Sequence, residues 1–358
     1  MKMRKLFLGL SLLAIAGMWT GCSNDEGVAI APKGKAIEFR VQGGAPELRA
    51  TATQTKDVDA FVVFGTDDAA NTAGDPVILD GVTVARVAGT DYFDYSPKRY
   101  FTAGAVEARF AAYSPVSAKP AVSTAFTYTG GMELTYIVPK YVLASYDGTT
   151  VQEDLLVAVE RMTSGLTAST YDAPNVTLDF QHALSRIFVK ATSTFKETVT
   201  ITGLTLRNLN TEGTLAIATM GTTPVWGVAG AIAPLGDGGR IWNTATTPDD
   251  YPYVLAEAGI AIPANTSTPI LVTTMTQGML VLPQVTVNAG DDVTTGDFAL
   301  EVTYNVANLT GQKAYVYLPD GYEFQMNKQY AITIDFVSLF EINFGITVTP
   351  FEPIINIP

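Results

Sequence analysis

Apolar residues recur at every second position along many short stretches of this 358-residue chain. The first such stretch, KAIEFRVQ at residues 35–42, places Ile37, Phe39 and Val41 on one face and charged or polar residues on the other. A period of two is typical of a half-buried β-strand, because successive side chains of a strand point to opposite faces. The chain is therefore predicted to be built from strands.

The same period continues to the end of the chain. The apolar positions of four later stretches are Val106, Ala108 and Phe110; Val176, Leu178 and Phe180; Phe298, Leu300, Val302, Tyr304 and Val306; and Tyr330, Ile332, Ile334 and Phe336. Turn-rich segments such as GDPVILDG and GDGG separate them. Many short alternating strands with such punctuation predict antiparallel β-sandwiches rather than a parallel sheet covered by helices. The length indicates two domains, with a boundary close to Leu184.

One segment, QEDLLVAVERM at residues 152–162, allows a second interpretation. Acidic residues stand at its start, where they favour a helix N-terminus, and its apolar residues fit one side of a helix. Periodicity alone does not distinguish a helix from a buried strand over so short a run, so both interpretations stay open.

The first residues are typical of a secretory signal peptide. The basic residues Lys2, Arg4 and Lys5 precede an apolar run at residues 6–18, which is too short for a membrane anchor but suits the export machinery. Small residues then lead directly to Cys22, the only cysteine of the chain. An exported chain of this kind has no disulfides, so burial must supply its stability.

A signal that ends in small residues directly before a cysteine resembles a bacterial lipoprotein signal. The resemblance implies that residues 1–21 are removed and that the Cys22 thiol is acylated, which attaches the chain to the outer membrane. Residues 22–34 then form a tether. The segment CSNDE also resembles the surface-export signal of Bacteroidetes lipoproteins.

Composition argues against several function classes. The 22 basic and 35 acidic residues give a net charge of −13, which repels phosphate backbones, so nucleic acid is not an expected partner. The chain has one histidine, His182, and its only thiol is assigned to lipidation. No nucleophile elbow, P-loop or dinucleotide motif occurs. We therefore expect no enzymatic activity, cofactor or metal, and we predict that His182 is a hydrogen-bonded residue at the domain junction.

Two tryptophans, Trp226 and Trp242, flank a glycine-rich loop. Exposed aromatic platforms can stack on sugar rings, which would give a glycan-binding face. Buried packing is the default interpretation for such large side chains.

Four longer stretches resemble a known family when they are taken together. They are RATATQTKDVDAFVVFGT (49–66), FDYSPKRYFTAGAVEARFAAYSP (93–115), VTLDFQHALSRIFVKA (176–191) and GYEFQMNKQYAITIDF (321–336). Their order and spacing resemble the fimbrillin family, the subunits of pili that Bacteroidales build from lipoprotein precursors. The resemblance implies two transthyretin-like (Ig-like) antiparallel β-sandwich domains and polymerisation by strand exchange. With the boundary close to Leu184, these domains are predicted at residues 35–183 and 184–358. The resemblance also implies a strand for EDLLVAVERM.

In the fimbrillin family a trypsin-like protease cuts after an arginine behind the first strand. The matching position is Arg49 in APELRATAT, and Arg40 is a second choice because it lies within the strand. The resemblance therefore implies a removable first strand at residues 35–49, whose apolar face is Ile37, Phe39 and Val41.

The C-terminal stretch EINFGITVTPF also alternates, with Ile342, Phe344, Ile346 and Val348 on one face. It follows a strand that can already close the domain at Phe336. An ordinary edge strand would show the same pattern. Together with the resemblance, we interpret it as a donor strand that fills the groove of the next subunit after the first strand leaves.

The functional hypothesis is a non-enzymatic structural subunit of a cell-surface fimbrium that supports adhesion and has other fimbrial subunits as partners. The alternative is a permanently anchored surface lipoprotein that binds a glycan or a host protein through Trp226 or Trp242.

Overall fold

The fold is given by a computed structural model. It describes residues 36–43, 58–68, 78–90, 92–114, 116, 121–122, 132–137, 154–163, 166, 175–210, 212–218, 225–226, 243–244, 248–253, 255, 258–273, 278–339 and 341–350.

The described residues form β-strands almost throughout, which confirms the predicted all-β class. A 3-10 turn spans Val293–Thr295, and among the described residues no helix has the length and apolar character needed to cross a membrane. The strands, in chain order, are β1 (Phe39–Gly43), β2 (Ala60–Asp67), β3 (Leu79–Arg86), β4 (Phe93–Asp94), β5 (Ala108–Ser114), β6 (Ala121–Val122), β7 (Met132–Ile137), β8 (Leu156–Met162), β9 (Val176–His182), β10 (Ser185–Ser193), β11 (Val199–Leu209), β12 (Glu212–Ala218), β13 (Val225–Trp226), β14 (Asn243–Thr244), β15 (Asp249–Tyr253), β16 (Ile260–Ile262), β17 (Thr266–Leu271), β18 (Met279–Val281), β19 (Gln284–Val285), β20 (Ala299–Val306), β21 (Leu309–Tyr317), β22 (Glu323–Phe324), β23 (Lys328–Phe336) and β24 (Ile342–Pro350).

The N-terminal part of the chain forms a seven-stranded sheet with the order β1-β9-β8-β5-β2-β3-β4. Its neighbouring strands are antiparallel except for β1, which pairs parallel to β9. β1 therefore lies at one edge of the sheet, and β9 is the strand that it covers.

The C-terminal part contains two sheets whose apolar residues share one core. One has the order β17-β10-β23-β24, with β18 also paired to β10, and the other has the order β15-β11-β20-β21, with β16 also paired to β11. Residues from both sheets, among them Ile187, Leu204, Val302 and Ile332, belong to the same buried cluster. Two sheets joined by such a core form a β-sandwich.

A further sheet joins the two halves of the chain. Its order is β13-β12-β7-β6, with β14 also paired to β12, and β19 forms a separate short ladder with β22. β7 pairs antiparallel with β12, from Met132 opposite Ile217 to Ile137 opposite Glu212. Strands on either side of His182 thus share a ladder, and the division into domains at residues 35–183 and 184–358 stays a prediction.

The central strands of the seven-stranded sheet are buried on both faces. In β2, Phe61 and Val63 belong to one apolar cluster, whereas Val62 and Phe64 belong to the larger cluster that includes the C-terminal sandwich. Successive residues of a strand point to opposite faces, so each face of β2 meets a different core.

The predicted faces of three strands are confirmed. In β9, in β20 with the residue before it, and in β23, the alternating apolar residues are buried, with exposed fractions of 8% or less. The residues are Val176, Leu178 and Phe180; Phe298, Leu300, Val302, Tyr304 and Val306; and Tyr330, Ile332, Ile334 and Phe336.

The assignment of Val106 to a buried strand face is wrong. Its side chain is 66% exposed, and β5 begins only at Ala108. The Asp68 carboxylate accepts hydrogen bonds from the main-chain N–H groups of Val106 and Glu107, at 2.9 and 3.1 Å, which holds these two residues in a loop. Ala108 and Phe110 are fully buried, as expected.

The helical interpretation of residues 152–162 is also wrong, and the strand implied by the resemblance is correct. β8 lies between β5 and β9. Val157 belongs to the larger cluster and Ala158 to the smaller one, so both faces of the strand are buried. A strand that buries both faces has a continuous apolar run, in which the period of two is lost.

A glycine gives a test of how closely β16 approaches β11. Gly259 has φ +69°, and a Cβ atom there would lie 2.6 Å from the carbonyl oxygen of Ile201. Gly311 has a similar φ, +64°, but no atom lies within 4 Å of its Cβ position. We expect Gly311→Ala to lower the free energy of unfolding by about 1–2 kcal/mol through backbone strain alone. Gly259→Ala should lower it by about 1–3 kcal/mol more, because the methyl group also clashes.

Urea denaturation of the two variants measures this difference. Equal losses of stability would contradict the close contact between Gly259 and the main chain of β11.

Candidate functional site

β1 is paired with the sheet along one edge. It runs parallel to β9, with Phe39 opposite Val176 and Val41 opposite Leu178. Antiparallel neighbours can be joined by a two-residue turn, but parallel neighbours cannot. β1 is therefore held on β9 by pairing and packing rather than by a hairpin.

The side chains of the first strand alternate as predicted. Ile37 and Phe39 are 1% and 2% exposed, and Val41 is partly buried against the same cluster. Glu38 and Arg40 are exposed. The predicted faces are thus confirmed, whereas removal of the strand stays a prediction.

Phe39 occupies a pocket made of three aromatic rings. Its ring centroid lies 5.8 Å from that of Phe61, 5.7 Å from that of Tyr95 and 6.0 Å from that of Phe110, all in edge-to-face geometry. We call these three residues the Phe39 pocket. Burial of one Phe side chain contributes about 1.5–3 kcal/mol, and each well-oriented ring pair adds about 0.5–1.5 kcal/mol. Phe39 is thus the strongest single anchor of β1.

Main-chain hydrogen bonds hold the beginning of the first strand. The N–H of Ile37 donates to the carbonyl of Arg99 at 2.9 Å, and the Tyr95 hydroxyl donates to the carbonyl of Ile37 at 2.9 Å. The N–H of Val176 donates to the carbonyl of Glu38 at 2.8 Å. Burial raises the pKa of Tyr95 above its usual value, so this hydroxyl stays protonated and can donate. These bonds use main-chain groups of the strand and would accept another sequence.

The C-terminal strand β24 lies at the edge of a different sheet. It pairs antiparallel with β23, with Ile342 opposite Phe336 and Phe344 opposite Ile334. Paired residues share a face, so the apolar residues of β24 point to the same side as the buried residues of β23.

This apolar face of β24 is only partly covered. Ile342 and Ile346 pack against the core, but Phe344 and Val348 are 41% and 48% exposed. In this structure β24 is an edge strand of its own sheet, which agrees with the interpretation of residues 342–350 as an ordinary edge strand. Its role as a donor stays a prediction.

His182 is the last residue of β9, three residues before β10 begins. Its Nδ1 atom pairs with the Asp154 carboxylate, which confirms the prediction of a hydrogen-bonded histidine. Arg40 lies within β1, opposite Thr177, so it is part of a paired strand rather than a loop.

Several predicted site residues lie outside the described residues. They are Cys22, Arg49 and Trp242, together with the side chain of Trp226, whose main chain belongs to β13.

The Phe39 pocket is a feature that the pattern of apolar residues in the sequence does not predict. Phe61, Tyr95 and Phe110 come from three separate segments, and only the fold brings them together. The one signal in the sequence is the density of aromatic residues in FDYSPKRYF, at residues 93–101.

Tyr95 offers a test of how β1 is held. Tyr95→Phe removes the hydroxyl that donates to the Ile37 carbonyl, which should cost about 1 kcal/mol of unfolding free energy. It should also speed hydrogen exchange of the β1 amides, because the strand opens more often. Tyr92→Phe is the matched control, since Tyr92 is 68% exposed. Unchanged exchange in Tyr95→Phe would show that this hydrogen bond does not hold β1.

Comparison with known proteins gives two kinds of match. Residues 49–350 match the family model of fimbrillin-like proteins. A comparison with curated protein sequences gave no match. Among solved structures, a fimbrial protein from Bacteroides vulgatus has a TM-score of 0.59 at 15% identity, covering 89% of this chain and 100% of that chain.

A candidate cell adhesion protein from Bacteroides ovatus has a TM-score of 0.51 at 14% identity, covering 89% of this chain and 98% of that chain. At these identities the two structures show a shared fold. The family match extends over most of the chain, and this chain therefore belongs to the fimbrillin-like family.

Proposed function

We propose that this chain is a structural subunit of a cell-surface fimbrium that supports adhesion and assembles by donor-strand exchange. The observation that carries the proposal is the placement of β1: an edge strand, parallel to its single neighbour β9, whose Phe39 is the anchor in an aromatic pocket. Membership of the fimbrillin-like family supports it, and so does the fimbrial fold relative from B. vulgatus.

Loss of β1 would leave a groove that another strand must fill. The outer edge of β9 would lose its main-chain partner, and the Phe39 pocket would open to water. Both are unfavourable, because an unpaired strand edge and an apolar groove promote association. Burial of Ile37, Phe39 and Val41 contributes about 5–9 kcal/mol gross, at about 1.5–3 kcal/mol per side chain.

β24 of a second subunit has the properties of a replacement strand. Its apolar face carries Ile342, Phe344, Ile346 and Val348, and two of these side chains are about half exposed in the single chain. Insertion into the groove would supply main-chain hydrogen bonds and fill the apolar pockets. Because each subunit both accepts and donates a strand, the contact repeats head to tail and gives a filament.

Export and proteolysis would control when exchange begins. The precursor would reach the outer membrane by the lipid on Cys22, after removal of residues 1–21. Cleavage after Arg49 would then separate residues 35–49 from the rest of the chain. Once β1 is held only by non-covalent contacts, its release is a simple dissociation, and the cleavage that permits this release is irreversible.

Limited proteolysis tests this proposal. Trace trypsin should convert the precursor to a form that begins at Ala50, and the product should grow into large species on a non-denaturing column. Arg49→Ala should keep its original N-terminus and stay monomeric. Arg40→Ala should behave like the parent chain, because Arg40 lies in a paired strand.

A peptide in trans separates strand exchange from general aggregation. A synthetic peptide of residues 342–350 should occupy the groove of cleaved subunits and stop growth, whereas a scrambled peptide should have no effect. Cleaved protein that stays monomeric without the peptide would refute the fimbrial proposal and would leave a surface lipoprotein with a binding role.

A further inference from the structure

Resting on the strand exchange proposed above, we propose that β24 enters the next subunit in one defined register, in which Phe344 occupies the Phe39 pocket and β24 runs in the same direction as β1. The occupant of the groove is thus a second copy of this chain, and Phe344 is the residue that sets its position.

The two strands share one pattern of side chains. Residues 37–41 read IEFRV and residues 342–346 read INFGI. Each contains an isoleucine, a phenylalanine two positions later and a β-branched aliphatic residue two positions after that. Residues spaced by two lie on one face of a strand, so both strands present the same three shapes in the same order.

The Phe39 pocket favours an aromatic occupant. Three rings meet Phe39 edge to face, so an aliphatic side chain would lose these contacts and leave part of the pocket empty. Phe344 is the one aromatic residue among the four on the apolar face of β24. It is 41% exposed on its own sheet, whereas Phe39 is 2% exposed in the pocket, so the exchange would bury it.

The side-chain pattern alone does not set the direction of the strand. An isoleucine lies two residues before Phe344 and another lies two residues after it, so a reversed strand could also place Phe344 in the pocket. Charge distinguishes the two directions. Gln42 is opposite Asp179 on β9, and in the reversed strand Glu341 would take the position of Gln42. Two carboxylates directly opposite each other on neighbouring strands are destabilising.

When β24 runs in the same direction as β1, this repulsion is absent, and the hydrogen bonds that hold β1 can form again with β24. Thr347, which is uncharged, then takes the position opposite Asp179. Ile342 takes the position of Ile37, so its N–H can donate to the Arg99 carbonyl and its carbonyl can accept from the Tyr95 hydroxyl. Pro350, which has no N–H to donate, falls beyond the position of Gly43, where the pairing with β9 ends.

Engineered cysteine pairs test the register and the direction. A Cys22→Ser background contains no other thiol. In the proposed register Gly345 takes the position of Arg40, opposite Thr177, so Gly345→Cys with Thr177→Cys should form disulfides between subunits. A cysteine at Gly345 fits the free chain, because no atom lies within 4 Å of its Cβ position.

The matched control is Asn343→Cys with Thr177→Cys. In the proposed register Asn343 lies two residues along the strand from the position opposite Thr177, which places the two Cα atoms roughly 8 Å apart, too far for a disulfide. In the reversed strand Asn343 would be opposite Thr177 instead. Cleaved and then oxidised protein should therefore give a ladder of covalent oligomers with the Gly345 pair, and uncut protein should give none.

The outcomes separate this proposal from strand exchange itself. Disulfides with the Asn343 pair would overturn the direction. A polymer on the non-denaturing column without disulfides from either pair would overturn the register and leave strand exchange standing. Cleaved parent chain that forms no polymer would overturn both proposals.

Phe344→Ala and Val348→Ala test the role of Phe344 in particular. Both side chains are similarly exposed in the single chain, so neither change should greatly affect its folding. Phe344→Ala should slow polymer growth by more than about tenfold, because an empty Phe39 pocket loses the burial and ring contacts of one Phe. Val348→Ala should have a clearly smaller effect. Equal slowing by the two variants would show that Phe344 does not set the position of the strand.

Discussion

The N-terminal core depends on a strand at the outer edge of β9. β1 supplies the main-chain partner of that edge, and its Phe39 fills a space bounded by rings from β2, β5 and the segment after β4. The chain continues from β1 to β2, and three strands lie between these two in the sheet. No tight turn joins β1 to its neighbour, so a cut in this connection would remove β1 without breaking any hairpin. β1 is thus tightly packed, yet a single cut in the chain would be enough to separate it from the domain.

β24, at the opposite end of the described chain, is an edge strand without the usual protection against pairing with another chain. Edge strands are usually protected by charged side chains, prolines or bulges, because an exposed flat edge can pair with another chain. Residues 342–350, INFGITVTP, contain no charged residue, and the one proline is last. Phe344 and Val348 add exposed apolar surface. A strand with these properties is an aggregation hazard unless its pairing is directed to a particular groove. The groove that loss of β1 would open is the destination proposed above.

The sequence predicted the strands that bury one face and was less informative about those that bury two. β1, β9, β20 and β23 keep a clear period of two because their polar residues alternate with the apolar ones. β8 gave a continuous apolar run that also fitted a helix, since it packs against both clusters. The parallel pairing of β1 and the Phe39 pocket could not be predicted, because they join residues as distant as Phe39 and Val176. Only the fold brings these residues together.

A strand that is to be replaced must be held by contacts that a second sequence can reproduce. The hydrogen bonds at Ile37 and Glu38 involve main-chain atoms, which every non-proline residue offers, so selection between strands must come from side chains in pockets. The net charge of −13 also makes apolar side chains, rather than charged ones, the source of attraction between subunits. Subunits of like charge repel one another at long range, so charge does not bring them together. Attraction must then come from short-range apolar contact, and the Phe39 pocket stays closed while β1 occupies it. Under the proposed strand exchange, repulsion between intact chains would oppose association until loss of β1 opens the groove.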